Sequence, residues 1–450
     1  MRLASHKIYF IGIGGVGMCG LAEVLHNMGA QVWGSDLSEN ANTERLRDLG
    51  VNVYIGHKKG QLSGADVVVY SSAVKFDHIE MLEARESKIP VIPRAEVLAE
   101  IMSLKRGIAI GGSHGKTTTT SLVASVFMQA NLKPTIVVGG RLDIIKSTAL
   151  LGLGEWLIAE ADESDGSFLK LRPEISVITN IDNDHMDFYK SDFELETAFR
   201  NFALQVPFYG KILACGDDKR IRKALANFPK NVIYYGFSDD NDYRLIGEKS
   251  KYSLMHQDQL LVEFEVALPG KHNALNATAA ILVGKEAGIS LEVAGEAVKT
   301  FTGVGRRFQL KGNRNNIPIY DDYAHHPTEI KATLAAFKEK FPGRRIVVAF
   351  QPHRYSRTHL CWHDFLTSFV EADVLLLNEI YAAGEKNTFD ISGEKLFNEI
   401  NHKNKFFCKN NSETLSTAKA ELQENDVFVT FGAGDIWKVG MELLVEPGDR

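Results

Sequence analysis

The strongest constraint on the fold is the glycine-rich segment 106–121, RGIAIGGSHGKTTTTS, which joins a short apolar run to a sequence that can continue as a helix. A strand, loop and helix in this order point backbone N–H groups and a helix N-terminus at a phosphate. Lys116 would reach the terminal phosphates of a nucleoside triphosphate, and Thr117 would face a metal ion. Ile110 stands where the strict phosphate-loop pattern has glycine, so an ordinary glycine-rich turn before a helix is the alternative. Four consecutive threonines argue against this alternative, because β-branched residues are mediocre helix formers. Their place at a helix start suggests that the hydroxyls have another use.

Length and composition indicate a protein of several domains. The chain has 450 residues, 44% of them hydrophobic and 24% charged, with a net charge of -6. We therefore expect two or three domains and no basic surface that would attract nucleic acid or an anionic membrane. No apolar stretch reaches the roughly 18 residues that span a bilayer. Four scattered cysteines show neither metal-ligand spacing nor disulfide density, which fits a cytoplasmic protein; they are Cys19, Cys215, Cys361 and Cys408.

The N-terminal region carries a second glycine-rich loop. A predicted strand at 7–11 runs into GIGGVG at 12–17, a helical pattern follows, and Asp36 ends the next strand. This is the dinucleotide fingerprint, in which glycines admit a diphosphate and the acid takes a ribose hydroxyl. A nucleotide sugar and a nicotinamide cofactor satisfy that geometry equally well. Gly14, Gly15, Gly17 and Asp36 are thus predicted to bind a nucleotide substrate.

Ser71 and Ser72 follow the predicted strand 66–70. Their hydroxyls suit the ligand edge of a parallel sheet, so both are candidate substrate contacts, and helix capping is an equally good explanation.

Two further strands end in acidic and polar residues. The first, in 155–165 (EWLIAEADESD), places Glu160 at its end, and the second, in 175–187, ends in NIDNDHMD with His185. Carboxylates beside a phosphate loop are where a magnesium site would be built, since Mg²⁺ takes oxygen ligands. A solvated acidic turn and a surface histidine are the alternatives.

GGSHGKTTTT, EADESD and TNIDNDHMD, in this order and spacing, resemble the Mur ligase family, the ATP-dependent amino acid ligases of peptidoglycan synthesis. The similarity covers essentially the whole chain. The opening GIGGVGM and the EADESD variant favour the branch that adds L-alanine. Branches that add later amino acids carry a carbamylated lysine in the helix after Asp-His, whereas 191–210 contains no lysine.

We predict an α/β protein of three domains: residues 1–104, Rossmann-like, for a UDP-sugar; residues 105–305, a phosphate-loop domain for ATP; and residues 306–450, Rossmann-like, for the amino acid. The resemblance implies that the substrates are UDP-N-acetylmuramate and L-alanine. It also implies ATP and two Mg²⁺ ions, which Mn²⁺ can replace. We expect a monomer or a weak homodimer.

The resemblance assigns ATP and metal contacts residue by residue. Asn276 would contact adenine and Asp322 the ribose, while Glu160 and His185 would join Thr117 as metal ligands. From the residues alone, the guanidinium groups of Arg306 and Arg307, which follow a predicted hinge at 303–305, are candidate phosphate contacts, and surface arginines are the alternative. The remaining ATP contacts are in the phosphate loop: Gly112, Ser113, His114, Gly115, Lys116, Thr117 and Thr118.

The C-terminal region supplies the amino acid site. Two arginines on a loop after a parallel strand, Arg354 and Arg357, are well placed to grip a small carboxylate. The resemblance implies the same role for them and adds Tyr323 and His325, and we include the neighbouring His353. The predicted catalytic residues are Lys116, His185, His325, Arg354 and Arg357.

The predicted reaction forms an acyl phosphate from the lactyl carboxylate and ATP, which the amine of L-alanine then attacks. Two alternatives stay open. One is the recycling ligase of the same family, which attaches a whole tripeptide; the other is a nicotinamide-dependent oxidoreductase, which would leave the phosphate loop, EADESD and DHMD unexplained.

Overall fold

The computed structural model describes residues 5–71, 74–142 and 147–445. These residues form three sheets. Two compact units contain them: the first ends at Thr302, and the second runs from Gly303 onward and also takes in 247–251 and 266–274. The first sheet and most of the second lie in the first unit.

The first sheet is a five-stranded parallel sheet of order β3-β2-β1-β4-β5. The strands predicted at its centre are confirmed. Gly34 is required where two strands meet, because a Cβ there would lie 2.3 Å from the carbonyl oxygen of Phe10. Its elements are β1 Lys7–Ile11, α1 Val16–Asn27, β2 Gln31–Asp36, α2 Ala41–Asp48, β3 Asn52–Ile55, β4 Val67–Tyr70, α3 Ile79–Glu86, β5 Val91–Pro93 and α4 Arg94–Ser103.

The second sheet has ten strands in the order β15-β14-β13-β12-β11-β10-β6-β9-β7-β8. Strands β7, β9, β6, β10, β11, β12 and β13 run parallel, and β8 is antiparallel to β7. The elements are β6 Arg106–Gly111, α5 Lys116–Gln129, β7 Thr135–Leu142, β8 Ser147–Leu150, β9 Trp156–Glu160, a short 3-10 turn Ser167–Lys170, β10 Ile175–Ile178, α6 Met186–Tyr189, α7 Asp192–Leu204, β11 Lys211–Cys215, α8 Lys219–Ala224, β12 Val232–Gly236, β13 Tyr243–Glu248, β14 Lys251–His256, β15 Gln259–Glu265, α9 Lys271–Glu286 and α10 Leu291–Lys299.

The third sheet has the order β16-β17-β21-β18-β19-β20. We predicted a parallel sheet here, and five strands are parallel, whereas the edge strand β16 is antiparallel because it forms a hairpin with β17. The elements are β16 Gln309–Arg314, β17 Ile317–Asp322, α11 Pro327–Lys340, β18 Ile346–Phe350, α12 Tyr355–Leu360, α13 Trp362–Phe365, β19 Val374–Asn378, α14 Gly393–Glu399, β20 Lys405–Cys408, α15 Asn411–Glu421, β21 Val427–Phe431 and α16 Trp437–Leu444.

The central strands are buried on both faces. Every residue of β10, β18, β19 and β21 is buried, as parallel strands covered by helices on two sides should be. All four cysteines are buried free thiols, as expected. Across the described residues, every helix is too short or too polar to cross a bilayer.

Candidate active site

Three neighbouring strands of the second sheet bring the predicted ATP and metal residues together. Strand β6 lies between β9 and β10 and runs parallel to both, so the three carboxyl ends lie side by side. The phosphate loop follows β6, the acidic segment follows β9, and the segment 179–187 follows β10. The three segments therefore meet at one edge of the sheet.

The phosphate loop is held by the segment after β10. Gly112 has a φ of 138°, and a Cβ there would lie 2.0 Å from the hydroxyl of Thr179, so no other residue fits. The N–H of His114 donates to Asn180 Oδ1 at 2.8 Å, and Thr179 Oγ1 donates to the carbonyl of His114 at 2.6 Å. Ser113 N donates to the carbonyl of Asn180 at 3.1 Å. These bonds fix the loop that precedes α5.

Lys116 is paired with a buried carboxylate for which the sequence analysis gave no role. Its Nζ lies 2.7 Å from Glu163 Oε1 and also donates to the carbonyl of Gly112 at 2.7 Å. Burial raises the pKa of Glu163 to about 7, although Lys116 opposes the shift. Within the described residues, Glu163 Oε2 has no hydrogen-bond partner. The pattern EADESD contained this residue, but nothing in its spacing singled it out from its acidic neighbours.

The predicted metal ligands lie beside this pair. Thr117 Oγ1 donates to both carboxylate oxygens of Glu160, at 3.0 and 3.1 Å. His185 Nε2 lies 4.0 Å from Glu163 Oε1, and its backbone has a φ of 58°. A left-handed conformation is costly for a residue with a Cβ and is common at functional sites. Hydroxyl, carboxylate and imidazole donors, with one carboxylate oxygen unpartnered, fit a divalent cation.

Two more of the residues predicted to bind ATP, Asn276 and Thr118, are buried beside the phosphate loop. Asn276 is 6% exposed, and its Oδ1 accepts a hydrogen bond from Thr119 Oγ1 at 3.1 Å. A Cβ on Gly115 would lie 2.8 Å from that same oxygen, and Gly115 has a φ of 82°. Thr118 is buried in the first turn of α5. Asn276 therefore touches the end of the phosphate loop, and its contact with adenine stays a prediction.

The N-terminal glycine-rich loop forms where β1 ends. The N–H of Gly14 donates to Asp36 Oδ2 at 2.8 Å, so the acid also holds the loop itself. Gly15 is the residue before α1, and Gly17 lies in its first turn. Ser71 follows β4, the strand beside β1, and its Oγ lies near Gly12. Ser72 lies outside the described residues.

In the second unit, the predicted amino acid residues gather at the carboxyl ends of β17 and β18. The ring centroid of His325 lies 5.2 Å from that of Tyr323 and 6.0 Å from that of His353. Burial, followed by the charges of Arg357 and Arg354, lowers the pKa of His353 to about 4. Arg354 has a φ of 68° and begins the turn into α12, which contains Arg357. The strained backbone supports a functional role for this loop.

Arg307 and Asp322 are placed in the same unit, each with protein partners. Arg307 Nη1 lies 3.3 Å from Glu329 Oε1, and both side chains are largely buried. Asp322 is 4% exposed and accepts N–H groups of Phe308 at 2.6 Å and Ala324 at 2.8 Å. Their proposed contacts with ATP stay predictions.

Arg306, a candidate phosphate contact together with Arg307, is held by protein groups. Its Nε donates to Asp321 Oδ2 at 2.9 Å, and its Nη2 donates to the carbonyl of Gly432 at 2.6 Å. Its φ of 60° lies in the left-handed region. Arg306 thus ties the segment before β16 to the ends of β17 and β21. The adjacent arginines in the sequence gave no signal to separate this contact from that of Arg307.

Three family descriptions match the chain: "Mur ligase family, catalytic domain" over residues 7–106, "Mur ligase middle domain" over 110–284, and "Mur ligase, glutamate ligase domain" over 306–434. The chain belongs to the Mur ligase family. The predicted family and its α/β architecture of three domains are confirmed.

Individual relatives span the whole chain. A protein of Bdellovibrio bacteriovorus named UDP-N-acetylmuramate--L-alanine ligase is 54% identical and covers 99% of both chains. One of the same name from Oleidesulfovibrio alaskensis is 47% identical over 97% of this chain and 98% of that protein. The crystal structure of UDP-N-acetylmuramate-alanine ligase from Thermotoga maritima matches with a TM-score of 0.83 at 29% identity, covering 98% of each chain.

Proposed function

We propose that this Mur ligase joins L-alanine to the lactyl carboxylate of UDP-N-acetylmuramate and cleaves ATP to ADP and phosphate. The observation that carries the proposal is Lys116 at the start of α5, whose side chain is 13% exposed, flanked by Thr117 and Glu160 at the carboxyl edge of β6 and β9. A lysine, a hydroxyl and a carboxylate beside a glycine-rich loop are typical of a site that binds a nucleoside triphosphate. The names of the full-length relatives support the substrates.

ATP is needed because a carboxylate at neutral pH is a poor acylating agent. A lactyl carboxylate oxygen attacks the γ-phosphorus, the bond to ADP breaks, and an acyl phosphate forms. The amine of L-alanine then attacks the acyl carbon, the C–O bond to phosphate breaks, and the nitrogen loses a proton. Lys116 and the loop N–H groups offset the negative charge that gathers on the transferred phosphoryl group. Lys116 would exchange its contact with Glu163 for the phosphates.

The residues around Thr117 would hold Mg²⁺. Thr117 and Glu160 supply oxygen donors, and His185 with Glu163 would hold a second ion, as the donor set and the unpartnered Oε2 of Glu163 allow. Bound Mg²⁺ supplies charge neutralisation on the phosphates. Mn²⁺ would serve in its place.

The amino acid carboxylate would be held by Arg354 and Arg357, since a guanidinium pairs with a carboxylate through two parallel hydrogen bonds. Tyr323, His325 and His353 form the aromatic side of that pocket. The low pKa of His353 keeps this imidazole uncharged at neutral pH, so His353 adds no positive charge beside the two arginines.

The test is phosphate release from ATP and Mg²⁺ with UDP-N-acetylmuramate, comparing L-alanine, glycine, L-serine and the cell-wall tripeptide. We expect release with L-alanine at the highest kcat/KM. Release with the tripeptide alone would move the chain to the recycling branch. No release with any amine donor would overturn the ligase proposal.

Lys116→Ala tests the phosphate loop. We expect kcat to fall about 100- to 1,000-fold, the usual effect of removing one preorganised charge from a transition state. Lys299→Ala, which changes an exposed lysine of the same unit, should keep wild-type turnover. Circular dichroism and thermal unfolding would establish that the Lys116 variant is folded, and full turnover by that variant would contradict the assignment.

A further inference from the structure

Arg94 is a charged residue that the proposed reaction has not used. It begins α4, and its guanidinium lies against the first turn of α1, where Nη1 is 2.5 Å from the position that a Cβ on Gly17 would occupy. The absence of a side chain at Gly17 is what admits the guanidinium. Arg94 therefore lies beside the glycine-rich loop that follows β1.

The other end of the same guanidinium reaches the central domain. Arg94 Nη2 donates to Asp162 Oδ2 at 2.9 Å, with the two side chains 28% and 36% exposed. Asp162 lies next to Glu163, the partner of Lys116. One cation thus contacts the glycine-rich loop and the acidic segment beside the phosphate loop.

A small cavity opens at this point. Its lining includes Gly17 and Arg94 from the first domain and Glu160 and Asp162 from the second. The first N–H groups of α1 have no partner within the helix, and the helix dipole favours an anion there. A guanidinium beside them adds a full positive charge and further N–H donors for an anion.

We propose that Arg94 binds the diphosphate of the sugar nucleotide through Nη1, while Asp162 orients the guanidinium through Nη2. This inference rests on the proposed function, because it assumes a nucleotide diphosphate at the start of α1. It adds a substrate-binding residue from α4, an element that neither glycine-rich loop includes. Arg94 also sets the position of the substrate relative to Lys116, since its ion pair joins the two loops.

The test measures binding of UDP-N-acetylmuramate, UDP and uridine by calorimetry in the absence of ATP, together with KM for each substrate. Arg94→Ala should raise the Kd of UDP-N-acetylmuramate and of UDP at least tenfold and leave uridine unchanged. Arg94→Lys should give a smaller loss, because it keeps the charge but not the planar guanidinium that Asp162 orients. The KM values for ATP and L-alanine should stay within about twofold.

Two controls separate ligand binding from a purely structural contact. Glu96→Gln removes another ion pair of α4, that with Lys170 of the central domain, and should leave every Kd unchanged. Asp162→Asn removes the partner of Arg94 and should keep the Kd of UDP within about threefold. If Asp162→Asn weakens UDP binding as much as Arg94→Ala, the residue only connects the domains and the inference is wrong.

The remaining outcomes are also decisive. Loss of affinity for UDP-N-acetylmuramate but not for UDP would assign Arg94 to the sugar or its carboxylate, and so overturn the diphosphate contact. Unchanged binding in Arg94→Ala would overturn it as well. Failure of the wild-type protein to bind UDP-N-acetylmuramate would instead overturn the proposed function, which the wild-type titration alone reveals.

Discussion

The carboxyl group of Asp322 is buried at the end of β17, and both of its oxygens accept backbone N–H groups. Burial, only partly offset by Arg307, raises its pKa to about 6. The folded protein therefore binds this proton more tightly than the unfolded chain, in which the pKa is near 3.8. The stabilisation is complete below about pH 4 and is lost as the pH rises through 6.

We expect Asp322→Asn to change this pH dependence. A shift of about two pKa units corresponds to roughly 3 kcal/mol as an upper limit. The amide keeps one acceptor, so the variant should be less stable than the wild type at pH 5 and closer to it at pH 7. Thermal unfolding of both proteins between pH 4.5 and 7.5 measures the difference. A gap in unfolding temperature that widens toward pH 7 would contradict the assigned pKa direction.

The sequence predicted which residue types gather at the site better than it predicted their partners. Local patterns were enough to select Lys116, Thr117 and Glu160 as site residues, because a strand that ends in glycines or carboxylates is typical of a phosphate or metal site. The contacts of Lys116 with Glu163 and of Arg94 with Asp162 join residues 47 and 68 positions apart. Such pairs depend on strand order and side-chain rotamers, which no local pattern specifies.

Helix α5 shows how an element carries the site. Its buried threonines make different hydrogen bonds: Thr119 Oγ1 donates to Asn276 of α9, whereas Thr120 Oγ1 donates to the carbonyl of Lys116 in its own helix. Both residues are fully buried. The threonine run thus serves a contact between two helices near the phosphate loop, which explains residues of modest helix propensity there.

Thr119→Val and Thr120→Val form a matched pair, because valine keeps the shape and removes the hydroxyl. Thr119→Val should destabilise the protein by about 1–2 kcal/mol and raise the KM for ATP several-fold, since Asn276 loses a partner that orients its amide. Thr120→Val should change stability by no more than about 0.5 kcal/mol, as its hydroxyl only adds to a carbonyl already bonded in the helix. Denaturant unfolding and ATP kinetics compare them; equal effects would refute the role given to Asn276.

The boundaries of β1 followed the sequence closely, because its apolar run meets a glycine: the strand predicted at 7–11 is Lys7–Ile11. The antiparallel edge strand β16 was missed. Its sequence, Gln309–Arg314, is polar, and its residues are all at least partly exposed. An edge strand with little apolar periodicity gives no signal of its own, and only its hairpin with β17 defines it.

On the scale of the whole molecule, the domains differ in whether their hydrophobic core is formed by their own residues or is completed by a neighbouring domain. The third sheet has a hydrophobic core on each face, and all of the core residues lie between 308 and 443. In the first domain, α1 packs on β8 of the central domain: a Cβ on Gly20 would lie 3.0 Å from the Cβ of Ala149. Glu23 of α1 is 6% exposed and accepts a hydrogen bond from Ser147 at 3.3 Å.

We therefore expect the isolated fragments to behave differently. Residues 303–450 should fold alone and unfold in one cooperative transition, because both faces of their sheet are already covered. Residues 1–104 should unfold at a lower temperature than the fragment 1–302, because removing β7 and β8 exposes the buried face of α1 and leaves Glu23 without Ser147. Thermal unfolding of the three fragments, followed by circular dichroism, measures these transitions.

A fragment 1–104 as stable as 1–302 would show that α1 gains no stability from the central domain. A fragment 303–450 without a cooperative transition would show that its two hydrophobic cores are insufficient for folding.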